Sequence, residues 1–280
     1  MSTRFGVCSW SLQPASVEQL VDRVSACGLS AVQLALDPVR TGVMQVDMVE
    51  RAFRDSGITI LSGMMAMEGE DYTTLASIRR TGGLVPDSTW AANLAAAQEN
   101  ARIAKRLGIE LVSFHAGFVP HHADDPRRTL LIERLAQIAE AFAEHDVSIA
   151  LETGQEDAGT MLALLIALQA HGIGVNFDPA NIILYGMGDP VAALDVLAPF
   201  VRQAHIKDAV ASGKEGEWGH EVPVGEGEVE WQSFFQRIGG LGLHIDPVIE
   251  REAGDHRIAD IRKAVDVVRT FHISNADEDE

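Results

Sequence analysis

Four side chains able to bind a cation or move a proton stand at the ends of short apolar runs. Glu152 follows Ser148 to Leu151, Asp178 follows Ile173 to Phe177, His205 follows Val201 to Ala204, and Glu250 follows Pro247 to Ile249. Each run reads as a buried strand, and Pro179, directly after Asp178, cannot continue a central strand. An ionised group buried without a partner is costly. One reading is four separate groups, each tied to a neighbouring Arg or Lys. The like placement at four strand ends favours one shared site. Three carboxylates and one imidazole make a hard, mainly oxygen donor set, which suits one divalent metal ion, Mn²⁺ or Mg²⁺ first, with Co²⁺ or Zn²⁺ as alternatives.

Other residues fall near the same strand ends. His115 closes the run Leu111 to Phe114 and is placed to bind substrate or orient Glu152; a plain hydrogen-bonded histidine in the barrel mouth is the competing reading. Lys207 lies two residues past His205, on the same face if the strand continues, with Asp208 turned toward the helices. Its ammonium suits a substrate oxygen, or a salt bridge to Glu152 or Glu250. Arg251 alternates away from Glu250 and reads as structural. Trp10 and Trp218 are candidates for stacking on a sugar ring or for packing, and Glu226 is a weak substrate contact in the turn Gly225-Glu226-Gly227. His121 and His122, in a loop with Pro and Asp, read as solvated.

The elements that must position these groups alternate. Strands are predicted at Phe5 to Cys8, Ala31 to Leu36, Ile58 to Leu61 and Leu111 to Phe114, followed by the four runs above. Between them lie helical patterns. Ser16 with Gln19 three residues on has the form of a capping box, and Val17, Leu20, Val21 and Val24 give one apolar face closed by Gly28. Further helices are predicted over Val46 to Asp55, Ser88 to Leu107, Leu131 to Phe142, Thr160 to Ala170, Pro190 to Leu197, Trp231 to Ile238 and Ile258 to Thr270. Glu68 to Asp87, polar and rich in glycine, reads as a long loop where a lid or substrate cover would lie. Eight β/α units imply parallel strands with right-handed crossovers, and fit a single-domain α/β (β/α)₈ TIM barrel better than an open sheet. The barrel is expected over residues 1–273, with 274–280 as an acidic, disordered tail. No GxGxxG follows the first strand and no Walker A motif is present.

The chain has 280 residues, 46% of them hydrophobic, ordinary for a soluble globular protein. Its net charge of −19, from 41 acidic and 22 basic residues, opposes binding to nucleic acid or to anionic membranes. Two cysteines, Cys8 and Cys27, are too few for a disulfide framework, and the sequence shows neither an export leader nor the roughly 18 to 20 apolar residues of a membrane span. A cytoplasmic protein is expected, and a homo-oligomer is compatible with the sequence.

The phrases LVSFHAG (111–117), IALETG (149–154), GVNFDPAN (174–181), AHIKDA (204–209), PVGEGEVEW (223–231) and PVIERE (247–252) resemble the sugar phosphate isomerase/epimerase family, the xylose isomerase-like TIM barrels. The resemblance covers nearly the whole chain. It implies that Glu152, Asp178, His205 and Glu250 are divalent-metal ligands, and that Glu152 and Glu250 are also a catalytic acid/base pair serving opposite faces of a small carbohydrate. The family includes ketose 3-epimerases, hydroxypyruvate isomerases and inosose-processing enzymes, and the endonuclease IV group shares its barrel. In the ketose epimerases a substrate-binding histidine stands three residues after the metal aspartate; here it is Asn181, whose amide hydrogen-bonds but does not titrate. Their arginine after the metal histidine is also missing, with Val210 and Ala211 in that region. Endonuclease IV needs more zinc ligands than this chain supplies, since Asn181, Glu221 and Ser62 to Met64 offer none where they are required.

These features predict a metal-dependent isomerase or epimerase of a sugar or keto-polyol, working by proton transfer through a metal-stabilised enediolate. His115, Asn181 and Lys207 are the expected substrate-binding residues. Two alternatives use the same pocket: a dehydratase or keto-glycoside lyase employing the same glutamate pair, and a sugar-binding barrel without turnover.

Overall fold

Every apolar run named above becomes a strand in the computed structural model, which describes residues 5–122, 124–214 and 216–276. The strands are β1 (Gly6–Cys8), β2 (Ala31–Ala35), β3 (Thr59–Met64), β4 (Leu111–Phe114), β5 (Ser148–Glu152), β6 (Gly174–Phe177), β7 (Val201–Ile206), β8 (Asp208–Val210), β9 (His220–Val222) and β10 (Asp246–Ile249). All but β8 and β9 close a parallel barrel in the order β1-β10-β7-β6-β5-β4-β3-β2. The strands carrying Glu152, Asp178, His205 and Glu250 are therefore neighbours around the ring. Registers bring Glu152 opposite Asn176 and His205 opposite Val248.

The helices cover the barrel by burying the stripes their periodicity marks. Val17–Ala26 buries Val17, Leu20 and Val24, and Pro126–Ala143 buries Leu131, Leu135, Ile138 and Phe142. Ser16 Oγ accepts the Gln19 amide at 3.2 Å, while Gln19 Oε1 reaches back to the Ala15 amide at 2.7 Å, one residue before the usual capping-box partner. Helices at Pro126, Pro179 and Pro190 share one start: an aspartate N-cap, then proline at the first turn. The last helix, Arg257–Ala276, takes in 274–276, which the sequence assigned to the tail; 277–280 lie outside the described residues.

Three features depart from the sequence reading. The insertion after β3 is not wholly loop: it holds the helix Leu75–Thr81, closed at its start by Thr74 and Ser77. The short helix Asp37–Arg40 follows β2, and another, Pro179–Leu184, starts immediately at Asp178. All three have seven residues or fewer, too short for apolar periodicity to show. Beyond β7 the chain folds into the antiparallel pair β8 and β9.

Asp208 anchors the connection that follows. Its buried carboxylate accepts the amides of Ala209, Val229 and Gly225 and the Trp231 indole N–H, at 2.8 to 3.1 Å. A Cβ at Gly227 would fall 2.1 Å from Asp208 Oδ1, so only glycine lets this loop close around the carboxylate. Removing the acceptor strands several buried donors at once. Asp208→Ala is expected to lower unfolding free energy by about 2 to 4 kcal/mol in urea titrations, with Asp208→Asn losing about half as much; an unchanged midpoint for both would refute this role.

Candidate metal centre and active-site cavity

The stretch Asp178-Pro179-Ala180-Asn181 shows how local structure aims a side chain. Asp178 caps the helix Pro179–Leu184 with Oδ1, which accepts the Asn181 amide at 3.0 Å. Its other oxygen, Oδ2, is left pointing into the barrel mouth, buried and without a hydrogen-bond partner among the described residues. The backbone is held from β5: the Asp178 amide donates to Thr153 Oγ1 at 2.8 Å, and Thr153 Oγ1 donates to the Asp178 carbonyl at 3.1 Å. Gly154, at φ +133°, allows Asn181 to approach, since a Cβ there would sit 2.4 Å from the Asn181 Cβ. Asn181 Nδ2 then donates to Glu152 Oε1 at 2.9 Å.

Around this point the strand-end groups converge. His205 Nδ1 lies 3.5 Å from Glu152 Oε1, 3.5 Å from Asp178 Oδ2 and 3.3 Å from Glu250 Oε2. One atom from each of the four residues falls within 4.8 Å of all the others, and all four residues are buried. His205 Nδ1, Asp178 Oδ2 and Glu152 Oε2 lack hydrogen-bond partners among the described residues. Such a set of inward-facing lone pairs fits a bound cation, because buried polar atoms are otherwise satisfied.

The far side of the imidazole is fixed from beneath. His205 Nε2 lies 2.7 Å from Gln33 Oε1, which can only accept, so Nε2 carries a proton and Nδ1 faces the carboxylates. Asn176 Nδ2 lies 2.9 Å from the same nitrogen. Gln33 Nε2 donates onward to Gln203 Oε1 at 3.0 Å and Ser113 Oγ at 2.8 Å, and Gln203 Nε2 to Ser62 Oγ at 2.8 Å. The barrel interior thus carries a connected polar layer directly below the site.

The two glutamates are held differently. Glu250 Oε1 accepts the Trp10 indole N–H at 2.7 Å, and Oε2 accepts Lys207 Nζ at 2.9 Å. Burial alone would raise the Glu250 carboxyl, but Lys207 and His205 outweigh it and hold it well below the usual carboxylate range. At Glu152 the burial penalty is overcome by His115 and His205, and the pKa is lowered. His115 Nε2 stands 3.5 Å from Glu152 Oε1. Asp178 is shifted upward, since burial is only partly offset by Lys207, 4.0 Å away, and His205.

The structure brings every sequence-derived site residue to one place: Glu152, Asp178, His205, Glu250, His115, Asn181 and Lys207. Lys207 also bonds Glu252 Oε2 at 2.7 Å and Asn181 Oδ1 at 3.3 Å, so of the salt bridges anticipated for it, the one to Glu250 forms. Arg251 turns away to Glu221 and Asp260, and Glu226 pairs with Lys263 at the surface, outside the site. His121 is exposed beside Thr160 and Asp157. Sequence reasoning missed the bond from Trp10 to Glu250, the Gln33 and Asn176 contacts, Glu252, and Glu70. The last lies on the insertion, accepts the Gly83 amide at 2.9 Å and lines the cavity. Polar residues inside otherwise apolar strands (Gln33 in AVQLA, Asn176 in GVNF) were the available signal.

Above the cluster opens a cavity of about 540 Å³, lined by Trp10, His115, Asn181, Lys207, Glu250 and others from the loops. A groove of about 640 Å³ lies elsewhere, lined by Arg79, Arg80, His121 and His122, and contains none of the strand-end groups.

A closed parallel barrel whose ionisable side chains meet at the carboxyl ends of adjacent strands has the layout of the xylose isomerase-like barrels. Residues 21–271 match the family model for the xylose isomerase-like TIM barrel, and the chain belongs to that family. The uncharacterized protein YihM of Escherichia coli K12 is 25% identical over 158 residues, covering 55% of this chain and 47% of that protein; the match spans about half the length of this curated relative. A xylose isomerase domain protein from Planctomyces limnophilus superposes with a TM-score of 0.89 at 26% identity, over 98% of this chain and 99% of that one. An L-ribulose 3-epimerase shares the fold with a TM-score of 0.76 at 15% identity, over 99% and 96% of the two chains. Among the described residues no helix is long and apolar enough to cross a membrane.

Glu156, just past the site, is buried with no cation at ion-pair distance among the described residues, and burial together with Asp157 pushes its carboxyl up to about 8. The folded state therefore holds a proton that the unfolded chain releases near the ordinary value of 4.5. Its contribution to stability is complete below that value and is lost as pH rises through the folded pKa. Glu156→Gln is expected to flatten this slope and to gain about 3 to 5 kcal/mol relative to the parent between pH 4.5 and pH 8. Parallel denaturation curves at both pH values would overturn the assignment.

Proposed function

We propose that this chain is a divalent-metal-dependent isomerase or epimerase of a ketose, keto-inositol or related hydroxy-ketone, with Mn²⁺ or Mg²⁺ as the favoured ion. The observation that carries the reading is the convergence of His205 Nδ1 with three carboxylates, several of their atoms unpartnered, beneath a cavity of about 540 Å³. The shared fold with an L-ribulose 3-epimerase supports the same reaction class. Glu152, Asp178, His205 and Glu250 would hold the ion, which supplies Lewis acidity toward a carbonyl oxygen and its neighbouring hydroxyl.

The chain's own residues handle the proton. Glu152 and Glu250 both have lowered pKa values, so either carboxylate is ready to accept the proton from the carbon beside the carbonyl. Asn181 and His115 orient Glu152, while Trp10 and Lys207 orient Glu250. A solvent proton taken up by the other glutamate and delivered to the opposite face inverts the centre, the first glutamate losing its proton to solvent; return of the abstracted proton to the adjacent carbon, with the hydroxyl proton passing between the two oxygens, isomerises the substrate. His115, facing the cavity, is placed to contact substrate oxygens, while Lys207, bonded to Glu250 and Glu252, offsets negative charge at that end of the site.

Elimination by the same pair is the second reading, and Glu70 favours it. Burial raises its pKa, against His115 and the Gly83 amide that lower it, and its carboxyl lines the cavity, where it is placed near a leaving group. Loss of water or an alcohol in mass spectra separates this from isomerisation.

Incubation with Mn²⁺ and a panel of ketoses and inososes in D₂O is expected to place deuterium beside the carbonyl, and Glu152→Gln to keep the far-UV spectrum while slowing exchange by about 10² to 10⁴-fold. A fully active variant sinks the base assignment. Gln33→Leu, which releases the tautomer of His205, should weaken Mn²⁺ binding about 10 to 100-fold in calorimetry; an unaltered affinity contradicts the role given to the layer below the site.

A further inference from the structure

The cavity wall narrows what the proposed reaction acts on. Its acidic lining residues are Asp37, Glu70, Glu221, Glu250 and Glu252, against one cation, Lys207. That ammonium is already committed, at 2.9 Å to Glu250 and 2.7 Å to Glu252. Among the described residues no arginine lines the space. Arg79 and Arg80 face the separate groove beyond Phe118, whose ring Arg79 covers at 4.8 Å. A phosphate or carboxylate on the substrate would find no fork of guanidinium donors to bind it among the described lining residues.

Size and surface point the same way. A hexose fills on the order of 200 Å³ at interior packing density, well short of the cavity of about 540 Å³. The remaining space is bounded by Pro38, Met64, Met65, Tyr72, Tyr185 and Trp218. Tyr185 meets Trp218 edge-on at 4.7 Å and Phe118 at 5.8 Å, which braces the rings as a wall. Trp218 Nε1 is buried and without an acceptor among the described residues.

We propose that the substrate is an uncharged sugar-like hydroxy-ketone bearing an apolar or aromatic substituent, the sugar half over the strand-end cluster and the substituent between Tyr72, Tyr185 and Trp218. This rests on the reaction class proposed above, and takes it from free sugars to glycosides. The apolar walls also suit a dry second half of the cavity, in which aromatic groups stack with offset or edge geometry.

The test is binding by calorimetry to the Mn²⁺-loaded protein, with matched phenyl and methyl glycosides that carry a ring ketone, the 3-keto forms of the glucosides, galactosides and xylosides, and with glucose 6-phosphate. At least one phenyl glycoside is expected to bind about 10 to 100-fold more tightly than its methyl partner, and glucose 6-phosphate more weakly than glucose. Trp218→Ala and Tyr185→Ala should each bring the phenyl-to-methyl ratio toward one. Equal affinities within every pair, no binding by any glycoside, or preference for the phosphate overturns the proposal. Binding needs no turnover, so the two readings fail separately: a phenyl preference without deuterium exchange removes only the reaction, whereas exchange with free ketoses and no phenyl preference removes only the substituent.

Discussion

Three carboxylates and one imidazole share a space a few ångströms across in the barrel interior, and the surrounding residues answer the cost of that charge. Buried carboxylates without counter-charge would take up protons. Here Lys207 bridges Glu250 and Glu252, and His205, whose pKa burial lowers but Cys8, Glu250 and Glu152 drive well upward, supplies positive charge from within. A divalent ion entering this set would take over the role of the imidazole proton, because a metal binds only the deprotonated nitrogen. The local balance of charge thus couples occupancy of the centre to the protonation of His205.

The site is also built asymmetrically. Glu250 is clamped by two donors from outside the cluster, an indole and an ammonium, and Glu152 by an amide and an imidazole. The ammonium stabilises negative charge on Glu250 more strongly than an amide can on Glu152. Of the pair, Glu250 is the better-held carboxylate, and in the proposed reaction Glu152 is the easier proton carrier. Two groups of one chemical type acquire different duties from their neighbours.

The sequence disclosed the strand-end groups because position along a strand is a local property: an apolar run, a polar terminus and a breaker such as Pro179 lie within a few residues. Lys207 followed from the two-residue alternation of extended chain, and the same alternation from Glu250 would have reached Glu252. What was hidden depends on distant pairing. Gln33 meets His205 across 172 positions, and Trp10 meets Glu250 across 240. The closed ring brings β1 beside β10, a neighbour relation no local pattern contains. Helix Leu75–Thr81 was hidden for another reason: its capping residues, Thr74 and Ser77, lack the acidic partner by which a capping box is usually read.

Asn181 gains its meaning from geometry. A histidine at this position would present a titrating ring to substrate, whereas the amide here spends its donor on Glu152 and its carbonyl on Lys207, 3.3 Å away. It links the two halves of the acid/base arrangement and turns inward to the cluster. The space above is left to Tyr72, Tyr185 and Trp218, whose rings present large, stiff apolar faces at low entropic cost. An amide in place of an imidazole thus ties Glu152 to Lys207, and in the proposed reading it leaves recognition of the ligand's outer half to the aromatic wall.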